Sequence, residues 1–227
     1  MVEKMSIDAD LYDSNYFGIR NYGLDKKREK AYRDEVMRIW AQTGKAGSVL
    51  DIGCGMGDFL MSFDDRWTRY GIDPSIYADD KARKKGIEMI RNLNSISSES
   101  MDVVVFRGTL QHIDTPMESL IHAARILKKG GLLVILATPD ADSIVYQMFG
   151  TLPALEDDKN WVVFGHRCLR NIIKRLGMKD IEITHPYWST PYARPLRDFA
   201  NFVLSIFFGW RPFAFPGNMM EIYAVKK

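Results

Sequence analysis

The chain has 227 residues, of which 46% are hydrophobic and 26% are charged, as is typical of a folded protein with one large domain. Its 31 basic and 29 acidic side chains nearly cancel, so overall charge gives no sign of a nucleic-acid partner. The cysteines, Cys54 and Cys168, are too few for a disulfide framework and lack a metal-type spacing, so we predict no metal site. No apolar run reaches the roughly 20 residues of a membrane span, and residues 1–16 lack the apolar centre of a signal peptide. We therefore expect a cytoplasmic protein.

The first half of the sequence alternates between two apolar patterns. Apolar residues at helical spacing predict helices, and short apolar runs that end in Gly or Asp-Pro predict strands. Helices are predicted over 26–43, from about 58, and over 75–85, and strands over 48–52, 68–72, 87–90 and 102–106.

The second half continues the alternation. A helix is predicted after Thr115, where Pro116 suits the first helical position and Glu118 completes a Thr-x-x-Glu capping box. Strands over 132–137, 181–184 and 221–225 and a helix over 167–176 follow. The whole pattern predicts an α/β fold of the Rossmann-like, doubly wound type: a mostly parallel seven-stranded sheet with helices on both faces.

Two segments, 138–165 and 186–219, interrupt the alternation and are rich in aromatic residues, Pro and Asp. Both follow strands, and open α/β sheets bind ligands beyond the carboxyl ends of their strands, so we expect these segments to cover a substrate. The predicted organisation is a single domain over 1–227, with an N-terminal helical cap (1–47), a cofactor-binding core (48–138), and substrate-cover segments with late strands (139–219).

The aromatic stretch 199–215 has two interpretations. It can form a buried lid helix over the substrate. It can instead form an interfacial helix that contacts lipid, since its apolar residues are too many for one narrow stripe and Arg194, Arg197 and Arg211 flank it.

The strongest motif is the glycine-rich run after the first strand. Glycines at a strand-to-helix turn let the backbone approach a ligand that a Cβ atom would displace. Asp73 ends the second strand twenty residues after Gly53, where a carboxylate can accept both ribose hydroxyls of a nucleoside. The motif therefore predicts a nucleoside-containing cofactor.

The charges of this motif argue against a dinucleotide. The third glycine of the dinucleotide pattern G-x-G-x-x-G is replaced by Asp58, which opposes close helix packing and repels a pyrophosphate. Asp51, before the first glycine, suits the α-amino group of a cationic amino-acid moiety. The site is predicted to prefer a positively charged ligand.

The run DIGCGMG at 51–57 resembles motif I of the class I S-adenosylmethionine-dependent methyltransferases, and YGID at 70–73 resembles motif II. Segment 102–113 is similar to motif IV and the residues directly after that motif, and 126–135 is similar to the next helix, turn and strand of that family. The resemblance covers about residues 48–138, and within the family it is nearest the small-molecule branch, which includes quinone, sugar and polysaccharide-pathway methyltransferases.

The resemblance implies S-adenosylmethionine as the cofactor and suggests which residues hold it. Those of the glycine turn would line its methionine part, Asp73 would hold the ribose, and Asn92 stands where the family usually has an aspartate that bonds the adenine. The implied cofactor-binding residues are Asp51, Gly53, Cys54, Gly55, Gly57, Asp73, Asn92, Leu93 and Arg107, the last facing the methionine end or the substrate.

His112 is the candidate catalytic residue. It occupies the place of the histidine in the family's common E-H or H-H pair, whose first member is here Gln111. If the acceptor is a hydroxyl, a general base within reach assists by taking its proton, with His185 or Tyr187 as alternatives. The structural alternative is that His112 caps the helix after Thr115.

The acceptor is predicted largely by exclusion. The chain has no Asn/Asp/Ser-Pro-Pro-aromatic run and no Pro-Cys pair, which disfavours nucleic-acid bases as acceptors. We expect O-methylation of a small molecule or saccharide, in glycan or secondary-metabolite biosynthesis. The alternatives are a quinone- or lipid-type methyltransferase, a nucleotide-binding oxidoreductase, and a non-catalytic scaffold that binds the cofactor.

Overall fold

The computed structural model describes residues 26–155, 160–190, 193–208 and 214–227. Within these ranges the helices are α1 Lys26–Thr43, α2 Ile76–Lys84, α3 Pro116–Ile126, α4 Ile144–Phe149, α5 His166–Arg175 and α6 Pro195–Phe208. The strands are β1 Ser48–Ile52, β2 Thr68–Ile72, β3 Glu88–Met89, β4 Met101–Arg107, β5 Leu127–Pro139, β6 Met178–Thr184 and β7 Met219–Lys226.

All seven strands form one sheet in the order β3-β2-β1-β4-β5-β7-β6. The first five are mutually parallel, and β7 runs antiparallel to both β5 and β6. Consequently β6 runs in the same direction as β5, and the carboxyl ends of β1, β2, β4, β5 and β6 lie along one edge. This confirms the predicted Rossmann-like sheet and identifies the edge at which ligands of such sheets bind.

The sheet is central because its strands are apolar on both faces. The β4 run Val103–Phe106 is completely buried, and its side chains alternate between two core clusters. One cluster lies under α3 and α5; the other lies under α1 and includes Phe59, Phe63 and Trp67. Because both faces of the sheet are covered, the sequences of these strands are continuously apolar and do not alternate between apolar and polar residues.

The predicted helix from about residue 58 is wrong. That segment forms turns and a single 3₁₀ turn, Leu60–Ser62, after which Phe63 has extended backbone. Phe59, Phe63 and Trp67 pack edge to face in series beneath α1, with ring centroids 5.5 and 5.2 Å apart. Burying these aromatic rings together outweighs the local preference for a regular helix.

The capping box at α3 is not formed. Thr115 is the N-cap and Pro116 the first helical residue, as predicted, but the Thr115 side chain makes no capping hydrogen bond. Its hydroxyl instead donates to Asp114 Oδ1 at 3.3 Å. The helix boundary was therefore predicted correctly from a capping contact that is absent.

The helix α6 has its polar and apolar faces inverted. Asp198 and Ser205 are buried, with 0 and 1% of their surfaces exposed. Phe202, which stacks on Phe215 with ring centroids 4.3 Å apart, and Leu204 are half-buried. The other large apolar side chains are exposed: Leu196, Phe199, Val203, Ile206, Phe207 and Phe208. Along the described segments, no helix is both long and apolar enough to cross a bilayer.

Candidate functional site

The glycine-rich turn leaves the carboxyl end of β1 in a conformation that requires glycine. Gly53, Gly55 and Gly57 have φ angles of 79, 52 and 78°. A Cβ atom on Gly53 would lie 2.2 Å from the Thr109 side chain, and one on Gly57 would lie 2.1 Å from the Ile87 side chain. Protein side chains therefore fill the space on one side of the turn. On the other side a ligand would meet the backbone of the turn rather than side chains.

Asp73, at the end of β2, fastens this turn. One carboxylate oxygen accepts a hydrogen bond from Gly55 N at 2.8 Å, and the other accepts from Ser75 N at 2.9 Å. Burial raises the pKa of Asp73, and the two backbone N–H donors oppose that rise. Each carboxylate oxygen keeps a lone pair, so Asp73 can also accept from ligand hydroxyls.

Asp51 is a buried carboxylate, and one of its oxygens has no hydrogen-bond partner among the described residues. Its side chain lies in β1 with 2% of its surface exposed, and within the described part of the chain no group bonds its Oδ1 atom. Burial raises its pKa to about 7, against the lowering effect of the Arg107 charge. A cationic ligand group beside Oδ1 would satisfy this oxygen and stabilise its charge. The residues therefore fit the ammonium group of the expected cofactor.

Cys54 fills space between strands. Its thiol is buried, lies 3.8 Å from Met89 Sδ and occupies the position that a Cβ atom on Gly71 would need. Burial raises the pKa of this thiol well above its ordinary value, so it is not an activated nucleophile. A cofactor role for Cys54 remains a prediction that concerns its backbone.

Asn92 and Leu93 lie beyond β3 at the same edge of the sheet. Asn92 Oδ1 accepts from Asn94 N at 2.8 Å and caps a 3₁₀ turn, while its side chain remains exposed. Leu93 is buried in the core, and its carbonyl accepts from Arg125 at 2.9 Å. Their contact with an adenine stays a prediction, with one lone pair of Asn92 Oδ1 already used.

The negative charge of Asp58, beside the turn, is paired with a positive one. It forms an ion pair with Lys85, which also donates to Met56 O at 2.9 Å. The pair compensates much of the repulsion toward a pyrophosphate that the sequence suggested. Charge at Asp58 is therefore a weaker argument against a dinucleotide than the unsatisfied Asp51.

Arg107, at the end of β4, is held by a residue that the sequence did not indicate. Its guanidinium donates to both carboxylate oxygens of Glu35 in α1, at 2.7 and 3.0 Å. It also stacks on the Tyr32 ring, with the guanidinium carbon 4.3 Å from the centroid. Arg107 thereby joins α1 to the sheet, and its charge reaches Asp51 without a direct bond.

His112 closes a 3₁₀ turn, Leu110–His112, directly after β4. Its backbone N–H donates to Thr109 O at 2.8 Å, and its Nε2 atom lies 3.3 Å from the Gln111 amide nitrogen. The side chain is half-buried. Its position at the carboxyl edge of β4 agrees with the catalytic hypothesis, which remains a prediction.

Gln111 links this turn to the segment after β5. Its carbonyl accepts from Trp161 N at 2.9 Å and Val162 N at 3.4 Å. Its side-chain oxygen is buried without a hydrogen-bond partner among the described residues. The cover predicted over 138–165 is therefore attached beside His112.

A second group of ionisable side chains lies further along the same edge. Asp140 follows β5 and is 1% exposed, and its Oδ2 lies 2.7 Å from His166 Nδ1 and 2.8 Å from His185 Nε2. Sequence reasoning missed this cluster because the histidines are 26 and 45 positions from Asp140, with no motif between them. Tyr187, the other alternative base, instead donates to the buried Asp198 at 3.0 Å.

A sequence profile described as a methyltransferase domain matches residues 24–183 of the chain. A ubiquinone/menaquinone biosynthesis C-methyltransferase of Campylobacter jejuni is 28% identical over 150 residues, which are 60% of this chain and 62% of that enzyme. A phosphatidylethanolamine N-methyltransferase of Cereibacter sphaeroides is 26% identical over 143 residues, 58% of this chain and 69% of that protein. The chain thus spans about three fifths of the Campylobacter enzyme's length.

The fold has solved counterparts. The crystal structure of an S-adenosylmethionine-dependent methyltransferase from Archaeoglobus fulgidus superposes with a TM-score of 0.69. The match covers 94% of this chain and all of the other, at 18% sequence identity. The seven-stranded, mostly parallel sheet is therefore an architecture that this chain shares with a methyltransferase of known structure.

Proposed function

Because the chain belongs to the methyltransferase domain family and uses S-adenosylmethionine, we propose that it methylates a hydroxyl of a small-molecule acceptor that carries an apolar chain. The acceptor class is the part that goes beyond family membership. It rests on one observation: α6 exposes six large apolar side chains and buries the polar Asp198 and Ser205.

The geometry of the turn supports a set of cofactor-binding residues. Asp51 would pair with the ammonium group of the cofactor, Asp73 would accept from the ribose hydroxyls, and the glycine turn would contact the methionine part through its backbone. Arg107 acts from behind, by holding α1 against the sheet and by opposing the rise in the Asp51 pKa.

When bound, S-adenosylmethionine supplies an electrophilic methyl group. The protein's task is to align the acceptor oxygen with that group and to exclude water. His112 is the proposed base: Nε2 is unprotonated when it accepts from the Gln111 amide, and it takes the hydroxyl proton once that amide is displaced. The hydrogen bond from Trp161 N to Gln111 O supports a cover, over 138–165, that is attached next to His112 in the chain.

The exposed face of α6 supports an acceptor held at a lipid surface. Leu196, Phe199, Val203 and Phe207 recur at helical spacing on this face, and each has about half or more of its surface exposed. Contiguous apolar surface of this kind marks a contact site, and Arg194 and Arg197 at the start of the helix suit anionic lipid headgroups. The lid interpretation predicted burial of these side chains, which the structure does not have.

Two relatives fit the apolar acceptor by name, since one is a C-methyltransferase of ubiquinone and menaquinone biosynthesis and the other an N-methyltransferase of phosphatidylethanolamine. Methylation on oxygen rests on His112 and not on these relatives. A free, water-soluble saccharide would leave the α6 face without a function. A saccharide linked to a lipid would satisfy both the predicted saccharide and the exposed helix. The expected location is cytoplasmic, with peripheral membrane contact.

The test uses vesicles of phosphatidylcholine mixed with anionic phosphatidylglycerol. We expect the protein to float with them, and Phe199→Ser/Phe207→Ser to reduce its partition at least about tenfold because two lipid-contacting rings are lost. The control Met37→Ser/Ile76→Ser removes two exposed apolar side chains elsewhere (62 and 78% exposed) and should leave partition unchanged.

A second readout concerns catalysis. With lipid extracts as the acceptor source, formation of S-adenosylhomocysteine should exceed that with aqueous extracts. The α6 variant should lower this activity and keep the affinity for S-adenosylmethionine. Absence of vesicle binding by the unaltered protein, or equal partition of the two double variants, would refute the lipid-surface proposal.

A further inference from the structure

Asp140, His166 and His185 form the only group among the described residues in which three potential metal-ligating side chains converge. One ligand atom from each lies within 4.8 Å of the others. We infer that these three side chains bind a divalent first-row transition metal such as Zn²⁺, at the edge of the sheet where β5 and β6 end.

The fold brings the three residues together by strand direction. Asp140 follows β5 and His185 follows β6, and both strands pair with β7 and end at the same edge. His166 is the first residue of α5 and donates its backbone N–H to Asp140 Oδ1 at 3.0 Å. The ligands therefore come from three elements fixed by the sheet, as a preorganised site requires.

The separations fit a metal. Two ligand atoms about 2.1 Å from an ion are about 3.0 Å apart in adjacent octahedral positions and about 3.4 Å apart in the tetrahedral geometry that Zn²⁺ prefers. The observed 2.7 and 2.8 Å from Asp140 Oδ2 to the two imidazole nitrogens are shorter than both spacings, so the side chains must move apart by about 0.2 to 0.7 Å to admit the ion. Two imidazoles and one carboxylate favour Zn²⁺, Co²⁺ or Fe²⁺ over Mg²⁺.

The surroundings support the carboxylate as a ligand. Asp140 Oδ1 accepts from Asp142 N and His166 N, which orients Oδ2 toward both imidazoles. Asp142 lies 3.6 Å from His166 Nδ1 and adds negative charge, shared with Arg167. Metal-ligating carboxylates are commonly held by such outer hydrogen bonds.

The site is also accessible. The side chains of His166 and His185 are 30 and 32% exposed, so an ion can enter. Three protein ligands leave coordination positions for oxygen donors of water or of an acceptor. That last role rests on the proposed function; metal binding itself does not.

The experiment titrates the chelator-treated full chain with Zn²⁺, and separately with Mg²⁺, in a calorimeter without cofactor or acceptor. We expect one Zn²⁺ per chain with a dissociation constant of about 1 μM or lower, and no comparable binding of Mg²⁺. His166→Gln and His185→Gln should each weaken binding at least about 100-fold, more than the loss of an outer-shell contact. The control His122→Gln, on α3, should bind as the unaltered protein does.

A measurement on the unaltered chain guards against variants that fail to fold. The sequence has four histidines, so the imidazole NMR signals of ¹⁵N-histidine-labelled protein are few enough to assign. Zn²⁺ should shift the signals of His166 and His185 and leave His112 and His122 unmoved. If no stoichiometric Zn²⁺ binds, or other histidines respond, the cluster is only a hydrogen-bonded pair of imidazoles on Asp140. Metal binding without methyl transfer would refute the proposed function alone.

Discussion

The guanidinium of Arg107 donates two hydrogen bonds to the carboxylate of Glu35, 72 positions earlier in the chain. Both side chains are largely buried, 19 and 11% exposed. The pair is the polar connection between α1 and the strand end that precedes His112. The position of α1 against the sheet therefore affects the electrostatic environment of the Asp51 carboxylate.

Glu35→Gln should lower the free energy of unfolding by about 3 kcal/mol, because it leaves the buried Arg107 charge without its partner. Urea unfolding measures the change. The double variant Glu35→Leu/Arg107→Met should regain most of the loss, since neither charge then remains. Glu29→Gln, which removes an exposed contact 3.8 Å from Arg33, is the control. A similar small effect of Glu29→Gln and Glu35→Gln would contradict the buried pair.

Asp51→Asn should stabilise the free protein while it abolishes tight cofactor binding. Folding raises the pKa of Asp51 from 3.8 to about 7. Between these values the unfolded chain loses the proton and the folded chain keeps it, so stability falls as pH rises through this window. The stabilisation by Asn should therefore be small near pH 4 and reach about 2–4 kcal/mol above pH 7.

Urea titrations of both proteins at several pH values measure that difference, and calorimetry measures the cofactor affinity. An Asn variant that binds S-adenosylmethionine normally would show that Asp51 does not hold the ammonium group. A stability difference that does not change with pH would show that folding does not raise the pKa of Asp51.

Asp73→Ala should weaken S-adenosylmethionine binding by at least about 1.5 kcal/mol, the scale of lost hydrogen bonds to a charged group. It also releases Gly55 N and Ser75 N, so the glycine turn should lose order. Calorimetry measures the affinity, with NAD as a ligand that should not bind comparably. Asp79→Ala, which removes an ion pair with Arg83 on α2, is the matched control. Unchanged affinity in Asp73→Ala would exclude the ribose role.

His112→Gln should reduce kcat by about 10²–10⁴-fold and leave cofactor affinity nearly unchanged, because Gln can hydrogen-bond the acceptor but cannot take its proton. Steady-state kinetics with an identified acceptor measures the effect, and His122→Gln is the control. Near-normal kcat would mean that His112 only positions the turn. A loss of folding in both His112→Gln and His112→Ala would support the structural role.

The predictable parts of this protein are those encoded locally. Apolar runs predicted the strands. The glycine turn with Asp51 and Asp73 predicted a cofactor site at the edge of the sheet where the parallel strands end. Contacts between distant residues carry no local signal: Glu35 meets Arg107, and Asp140 meets two histidines, only after the sheet has assembled. The orientation of α6 could not be predicted either. Its sequence does not indicate which of its two faces packs against the rest of the domain.

Asp140 also has a consequence for how the chain can vary. Its Oδ1 atom accepts from His166 N, and the neighbouring Ala141 N donates to Phe164 O at 3.0 Å, so both ends of the intervening segment are joined at one point. These two hydrogen bonds hold the ends of the loop together. Each doubling of the loop's length raises the entropic free energy of closing it by only about 0.6 kcal/mol. Longer or shorter versions of this segment therefore cost the fold little. If this segment covers the acceptor, as the sequence predicts, such a tied loop would let acceptor preference change without a new fold.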